Sequence, residues 1–182
     1  MEQMEKNLLK TVADISGFMP GSAFSLRKNG AGVERHSTEH VKILAKTDKP
    51  GIDIIVDANT VGESIHIPVI LTDSGIQDMV YNDFYIGEGA DVEIVAGCGI
   101  HNDGCDTSQH DGIHNFHIGR NASITYTEKH YGEGSGSGGR ILNPTTVIHM
   151  EEGSFAKMDM SQIKGVDSTF RKIGRASCRE RV

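Results

Sequence analysis

The sequence predicts an all-β protein: a parallel β-helix whose coils repeat about every 32 residues, with a short N-terminal helix and a truncated C-terminus. Three observations predict this fold. A repeat begins near residue 50, apolar residues occupy every second position within each copy, and the chain has 22 glycines but only 4 prolines. Alternation is typical of strands with one buried face, and abundant glycine favours many turns between short strands.

The repeat is clearest in three segments, "NDFYIGEGADVEI" from Asn82, "HNFHIGRNASITY" from His114 and "TVIHMEEGSFAKM" from Thr146, each starting 32 residues after the previous one. The matched positions are Phe84, Phe116 and Ile148; Ile86, Ile118 and Met150; Ala90, Ala122 and Ser154; Val92, Ile124 and Ala156; and Ile94, Tyr126 and Met158. A weaker fourth copy aligns Ile52 with Phe84 and Ile54 with Ile86. Each copy predicts two strands joined by a Gly/Glu/Asn corner. The alternative is an antiparallel sandwich with coincidental spacing.

Four segments follow from this reading. Residues 1–21 form a helix and a turn, 22–49 a lead-in of strand and loops, and 50–173 an incomplete β-helix core. The apolar stripe of the helix consists of Met4, Leu8, Leu9, Val12 and Ile15. Residues 174–182 resemble the translation of a common sequencing adapter, so we expect that this tail is foreign and that the natural chain continues past Lys172. A genuine basic tail is the alternative.

The composition excludes several classes of function. The net charge of −7, without a basic stripe, gives no indication of a nucleic-acid partner. No apolar run is long enough for a membrane span, and the N-terminus "MEQMEKNLLK" is not a signal peptide. Three cysteines do not make a disulfide framework, so we expect a reducing, cytoplasmic compartment.

The repeat also sorts the residues that could bind metals. Asp53, Tyr85, His117 and His149 share one column and should point outward, because they alternate with buried positions. A second column contains His66, Cys98, His130 and Gln162, so that Cys98 would lie between two histidines on adjacent coils. A thiolate and an imidazole so placed could hold iron, zinc or a sulfur species. A buried cysteine beside a surface histidine is the plainer alternative.

Two further motifs carry less chemistry. The stretch "CGIHNDGCDTSQHDGIHNFH", residues 98–117, is rich in ligand-type side chains, but its spacings match no common zinc finger. Residues 99–112 are therefore predicted to be a polar loop between coils. The segment "GSGSGG" at 134–139 matches a dinucleotide-binding pattern, yet no helix follows it, which favours a flexible loop.

Much of the chain resembles the SufB/SufD family. The resemblance is carried by "IHIPVILTDSGIQDMVYNDFYIGEGADVEIVAGCGIHNDGCDTSQHDGIHNFHIGRNASITYTEKHYGEG", followed by "RILNPTT" and "QIKGVDST". It covers about residues 5–172, is specific over 47–172, and is closest to the short SufB/SufD-like proteins of anaerobic bacteria. It implies a β-helical scaffold subunit of the SUF machinery, which assembles iron–sulfur clusters with a SufC-type ABC ATPase.

The resemblance also implies residue roles. Gly97 and Cys98 match the Gly-Cys of the family in mid-helix, a candidate persulfide or cluster-pathway thiol. His114 and His117 lie in the matching strand and are further candidates, whereas Cys105 is not carried over. Family members continue for roughly another hundred residues, a second half-domain. That part carries a Gly-His-x-Glu-Cys-Asp stretch and the helices that dock the ATPase, none of which this sequence contains.

We therefore expect the N-terminal part of a SUF scaffold subunit that catalyses no reaction itself, because ATP hydrolysis would reside in the partner. Cys98 and His130 would bind the transient iron–sulfur cluster, and Cys98, His130 and His66 any metal, with His114 and His117 as further candidates. The partners would be a SufC-type ATPase and either a second copy or a related SufB/SufD subunit, with no nucleic acid and no membrane. The alternatives are a β-helical carbohydrate-active enzyme and a zinc-binding structural domain.

Overall fold

A computed structural model describes residues 1–14, 22–174 and 177–178 of the chain. It contains one helix and fifteen strands within these residues. They are α1 (Gln3–Ala13), β1 (Ala23–Lys28), β2 (Ala31–His36), β3 (Val41–Ala45), β4 (Gly51–Val56), β5 (Val61–Leu71), β6 (Gln77–Ile86), β7 (Asp91–His101), β8 (Ser108–Ile118), β9 (Ser123–Glu133), β10 (Arg140–Leu142), β11 (Thr145–Met150), β12 (Phe155–Lys164), β13 (Ser168–Thr169), β14 (Lys172–Ile173) and β15 (Ser177–Cys178).

The strands form a β-solenoid of about four turns, which confirms the predicted fold class. Two sheets face each other across a common lumen. Sheet A has the order β12-β9-β7-β5-β1-β2, and sheet B has the order β13-β10-β8-β6-β4-β3, with β11 beside β8 and with β14 and β15 beside β11. Pairing from coil to coil is parallel in both sheets, so the antiparallel sandwich is wrong.

The predicted 32-residue register is confirmed for the last three copies. Phe84 pairs with Phe116, which pairs with Ile148, and Ile94 pairs with Tyr126 on the other sheet. Strands β8 and β9 alternate between buried and half-buried positions along their whole length. The alternation that was read from the sequence is therefore the division between lumen and exterior.

The first coil departs from this register, and two sequence assignments are wrong for that reason. It is shorter than 32 residues, so Ile54 rather than Ile52 pairs with Phe84, and Ile55 rather than Asp53 pairs with Tyr85. In sheet A, an irregularity between Val61 and Ser64 shifts the pairing of β5 with β7 further. Gly62 lies inside that irregularity and has a φ of 77°, a conformation that glycine tolerates best.

The corners between the two sheets form a column of left-handed residues. Asn59, Gly89, Asn121 and Gly153 all have positive φ, and each amide of the first three donates to the carbonyl of the corner in the next coil. A Cβ on Gly153 would overlap the side-chain oxygen of Asn121, which explains why asparagine and glycine alternate. The predicted Gly/Glu/Asn corner has this physical basis.

Helix α1 covers the outer face of sheet A. The side chains of Glu2 and Glu5 form a capping box at its start, and it ends at Asp14 in the left-handed conformation. Leu8, Leu9 and Val12 are buried against Val95, Ile70 and the aromatic ring of Phe24. The predicted apolar stripe is confirmed for these residues, whereas Ile15 and the predicted turn at 17–21 lie outside the described residues.

Two antiparallel hairpin pairings begin the solenoid. β1 pairs with β2 at the edge of sheet A, and β3 pairs with β4 at the edge of sheet B. The lead-in predicted for 22–49 is therefore three strands. The predicted foreign tail lies mostly outside the described residues, which include only 174, 177 and 178 of it. No helix in the described part of the chain is long and apolar enough to cross a membrane.

The glycine-rich segment 134–139 packs closely on the loop of the coil before it, and the expectation of an independent linker is wrong. The amides of Gly136 and Gly138 donate to the carbonyls of Asn102 and Gly104. A Cβ at Gly134, Gly136 or Gly138 would overlap that backbone. Glycine is required here because two backbones approach each other more closely than any side chain allows.

Candidate functional site

The lumen of the solenoid is divided into an apolar half and a polar half. In the apolar half, the rings of Phe84 and Phe116 stack with centroids 4.2 Å apart, and Tyr126 packs edge-on against Phe116. Further along the same strands, the inward positions become polar. The polar half contains Asn82, Asp78, Cys98, His110, His114, Glu128, His130 and Thr146, all of them buried.

Cys98 lies in the lumen near the middle of β7. Its side chain is 2 % exposed and belongs to an apolar cluster with Val69, Leu71 and Leu142. Burial raises the pKa of the Cys98 thiol well above its usual value, and the charges of Asp78 and Glu128 raise it further. The resting thiol is therefore protonated.

His130 is the strand partner of Cys98 on the next coil, as the register predicts. Partners on adjacent parallel strands lie about 4.8 Å apart and point to the same face, so both side chains enter the lumen. The Nε2 atom of His130 lies 3.2 Å from Oε1 of Glu128. Because a carboxylate can only accept, Nε2 carries the proton and Nδ1 is left as an acceptor. Burial raises the pKa of Glu128, but His130 and the charges of His114 and Arg171 outweigh it and bring the pKa to about 2.

A second buried charge cluster lies on the other side of Cys98. Asp78 accepts hydrogen bonds from the guanidinium of Arg27, the shortest of which is 2.6 Å, and one from Nδ1 of His110 at 3.0 Å. Burial opposes the ionisation of Asp78, but these donors outweigh it and hold its pKa well below the usual value. Arg171 plays the same part for Glu128, at 2.6 Å between Nη1 and Oε2. Cys98 thus lies between two buried carboxylates, each paired with a histidine and an arginine.

A cavity of about 20 Å³ lies among these groups and is lined by Cys98, His110, His114, Glu128 and His130, together with Gly112 and several apolar residues. Burial lowers the pKa of His114 to about 4, so its ring is neutral at physiological pH. Within the described residues, Nδ1 of His114, Nδ1 of His130 and Oγ1 of Thr146 are buried without a hydrogen-bond partner. Such atoms indicate a small polar occupant, and the volume has room for about one water molecule.

Two predicted candidates lie elsewhere. His66 pairs with Val95, three positions from Cys98, so its predicted place beside Cys98 is wrong. It lies instead beneath helix α1, where burial lowers its pKa and a hydrogen bond with the backbone of Ala13 opposes that effect. His117 points outward, as predicted, and its ring stacks between those of Tyr85 and His149 with centroid distances of 5.0 and 4.9 Å.

The sequence reading missed part of the site. Residues 99–112 were expected to be a loop, but β7 extends to His101 and β8 begins at Ser108, so His110 is a buried strand residue. The signal was available, since Asp78 and His110 are 32 residues apart and pair in the register. No comparable signal exists for Arg171, which reaches Glu128 from outside the repeat.

These residues do not fit an enclosed iron–sulfur cluster. Clusters of this kind are held mainly by several thiolates, and Cys98 is the one cysteine that lines the cavity. No group of three or more His, Cys, Asp or Glu in the described part of the chain is placed to hold a metal ion. A volume of about 20 Å³ has room for one small group rather than a cluster.

Comparisons with known proteins do not identify the chain. No protein-family profile, curated protein or solved structure matches it. The geometry of the lumen and the resemblance in sequence therefore carry the functional argument.

Proposed function

We propose that this chain is the β-helical part of a SUF-type iron–sulfur cluster assembly scaffold, in which Cys98 carries one sulfur atom as a persulfide. The observation that carries the proposal is the position of Cys98. It is a buried thiol in the lumen, it pairs with His130 across adjacent coils, and it borders a cavity with unpaired polar atoms. A sulfane sulfur is about the size of the group that this cavity can hold.

The surrounding residues suit a guarded sulfur carrier. A neutral, buried thiol is protected from adventitious oxidation, because oxidants react with the thiolate. His130 offers Nδ1 as a proton acceptor, and Glu128 stabilises the imidazolium that forms when this atom takes the proton. His130 and Glu128 can therefore activate Cys98 only when a donor is in place.

The proposed step is a sulfane transfer from a persulfide or polysulfide donor. Cys98 gives its proton to His130, and its sulfur bonds to the sulfane sulfur of the donor. The S–S bond of the donor breaks, and the donor leaves with the electron pair as a thiolate or as hydrosulfide. The proton of His130 then passes to the departing group or to the new persulfide. One S–S bond replaces another, so no oxidant is needed.

The wider assignment rests on the resemblance in sequence. Assembly of the cluster itself, the SufC-type ATPase and pairing with a second copy or a related SufB/SufD subunit are proposed on that ground, as is a cytoplasmic location. The iron–sulfur cluster is the product of the assembly in this proposal. The lumen near Cys98 serves the sulfur that enters the cluster.

The test is to locate transferred sulfur by mass spectrometry. The protein is incubated anaerobically with an inorganic polysulfide, unfolded in an alkylating reagent and digested. We expect one extra sulfur atom on the peptide that contains Cys98. His130→Asn should slow this labelling at neutral pH without preventing folding, because it removes the proton acceptor.

Two controls make the result decisive. Cys98→Ser should remove the label, whereas Cys105→Ser, which changes an exposed cysteine of the 102–107 loop, should leave the label at Cys98 unchanged. Sulfur found on Cys105 alone, with Cys98 unmodified in a folded protein, would refute the proposal.

A further inference from the structure

A cleft of about 210 Å³ at the N-terminal end of the solenoid is lined by four basic side chains. Arg27 comes from β1, Arg35 from β2, Lys46 from β3, and Lys49 from the loop that precedes β4. Four cations around one cleft are unexpected in a chain with a net charge of −7. The fold creates the cleft, because the two antiparallel hairpin pairings place β2 and β3 at the edges of opposite sheets.

Two of the four cations have carboxylate partners and two do not. Arg27 is paired with Asp78, and Lys46 is paired with both Asp53 and Asp83. Arg35 and Lys49 are exposed, and neither has a carboxylate within ion-pair distance among the residues that the structure describes. The ammonium of Lys49 lies over the ring of Tyr81, 4.7 Å from its centroid. These two side chains therefore supply positive charge that no carboxylate of the described chain neutralises.

The cleft leads towards the buried cavity at Cys98. Ile67, Val69 and Asn82 line both the cleft and the cavity, so only these side chains separate the two spaces. The row of paired residues across sheet A runs from Arg27 through Val69 to Cys98. A small molecule that enters between the two sheets at this end would meet the basic groups first and Cys98 next.

We propose that this basic cleft binds small inorganic anions and is the entrance through which they reach the cavity at Cys98. Clefts lined by one sign of charge concentrate ions of the opposite sign and raise their rate of entry. The ligand class is a compact anion of one or two charges, such as an oxyanion of sulfur, hydrosulfide or a short polysulfide. The inference uses Cys98 as a reporter of access and does not depend on whether Cys98 carries sulfur.

The test compares the modification of Cys98 by two thiol reagents of similar size and opposite charge, sulfonatoethyl and trimethylammonioethyl methanethiosulfonate. Rates are followed at each cysteine by mass spectrometry of the intact, folded chain, with Cys105 as the exposed reference. We expect the ratio of anionic to cationic rates to be about tenfold higher at Cys98 than at Cys105. Millimolar thiosulfate should slow the anionic reagent at Cys98.

The variant Arg35→Gln/Lys49→Gln tests the role of the uncompensated charges. It should reduce the ratio at Cys98 to that at Cys105, because both exposed cations are removed while the buried ion pairs remain. The matched control, Lys6→Gln/Lys157→Gln, removes two exposed charges from α1 and β12 and should leave the ratio unchanged. An equal ratio in all three proteins, or a Cys98 that neither reagent modifies in the folded protein, would overturn the inference.

Discussion

Glu128 is the buried charge whose contribution to stability can be worked out most directly. It is 3 % exposed, it accepts from His130 and Arg171, and its pKa falls from 4.5 to about 2 in the folded chain. A shift of this size corresponds to about 3 kcal/mol of differential stabilisation of the ionised form. Glu128→Gln keeps the shape of the side chain but removes the charge.

The sign of the pH dependence follows from the direction of the shift. A carboxyl group whose pKa is lower in the folded chain stabilises the fold above the unfolded pKa, here 4.5. This stabilisation is lost as the pH falls through the folded pKa of about 2, and more than half of the ~3 kcal/mol should be gone by pH 3. Glu128→Gln should therefore lower the free energy of unfolding by about 3 kcal/mol at pH 7 and by much less at pH 3.

The assay is urea unfolding followed by circular dichroism at pH 7, 5 and 3, for the original chain and for Glu128→Gln. Glu88→Gln is the matched control, since Glu88 lies exposed at a corner and its carboxylate makes no ion pair in the described chain. A difference between Glu128→Gln and the original chain that stays constant from pH 7 to pH 3 would refute the reasoning. Equal stability of the two proteins at pH 7 would refute it as well.

The remaining predictions concern one histidine and two glycines. His114, whose pKa falls from 6.5 to about 4 through burial, should cost the fold about 3 kcal/mol as the pH drops between those values, and His114→Gln should remove this loss in urea titrations at pH 7 and 4.5. Gly153→Ala should destabilise by about 1–3 kcal/mol in thermal unfolding, more than Gly62→Ala, because both have positive φ but only Gly153 has a neighbour that a Cβ would overlap. Gly97→Ala should displace α1 and expose it to limited proteolysis, because a Cβ there would overlap the backbone of the helix; with Gly99→Ala, whose nearest contacts are movable side-chain atoms, cleavage should stay slow.

The sequence predicts the coils well where the repeat is regular. The 32-residue spacing gives the fold class, the pairing of Cys98 with His130 and the outward stack of Tyr85, His117 and His149. It fails in the first coil, where the irregularity at Gly62 changes the spacing. A constant period applied there moves His66 by three positions, which places it on the opposite face of the sheet.

The site is harder to predict than the fold because its charges come from residues with no common pattern. Arg27 lies in the lead-in, before the repeat begins, and Arg171 lies at the end of the described core. Long side chains of this kind reach across coils, so strand spacing does not show where their charged ends lie. The polar half of the lumen becomes visible only when both sheets are assembled around it.

The polar half of the lumen is difficult to explain by stability alone. The apolar half shows that this cross-section can be filled by stacked rings such as Phe84 and Phe116. Buried ion pairs replaced by well-packed apolar residues are often neutral or stabilising, because desolvation offsets the attraction between the charges. Two such clusters, built around Asp78 and Glu128, nevertheless lie on either side of Cys98. Since packing does not require them, their position around a thiol favours a chemical role in controlling its proton.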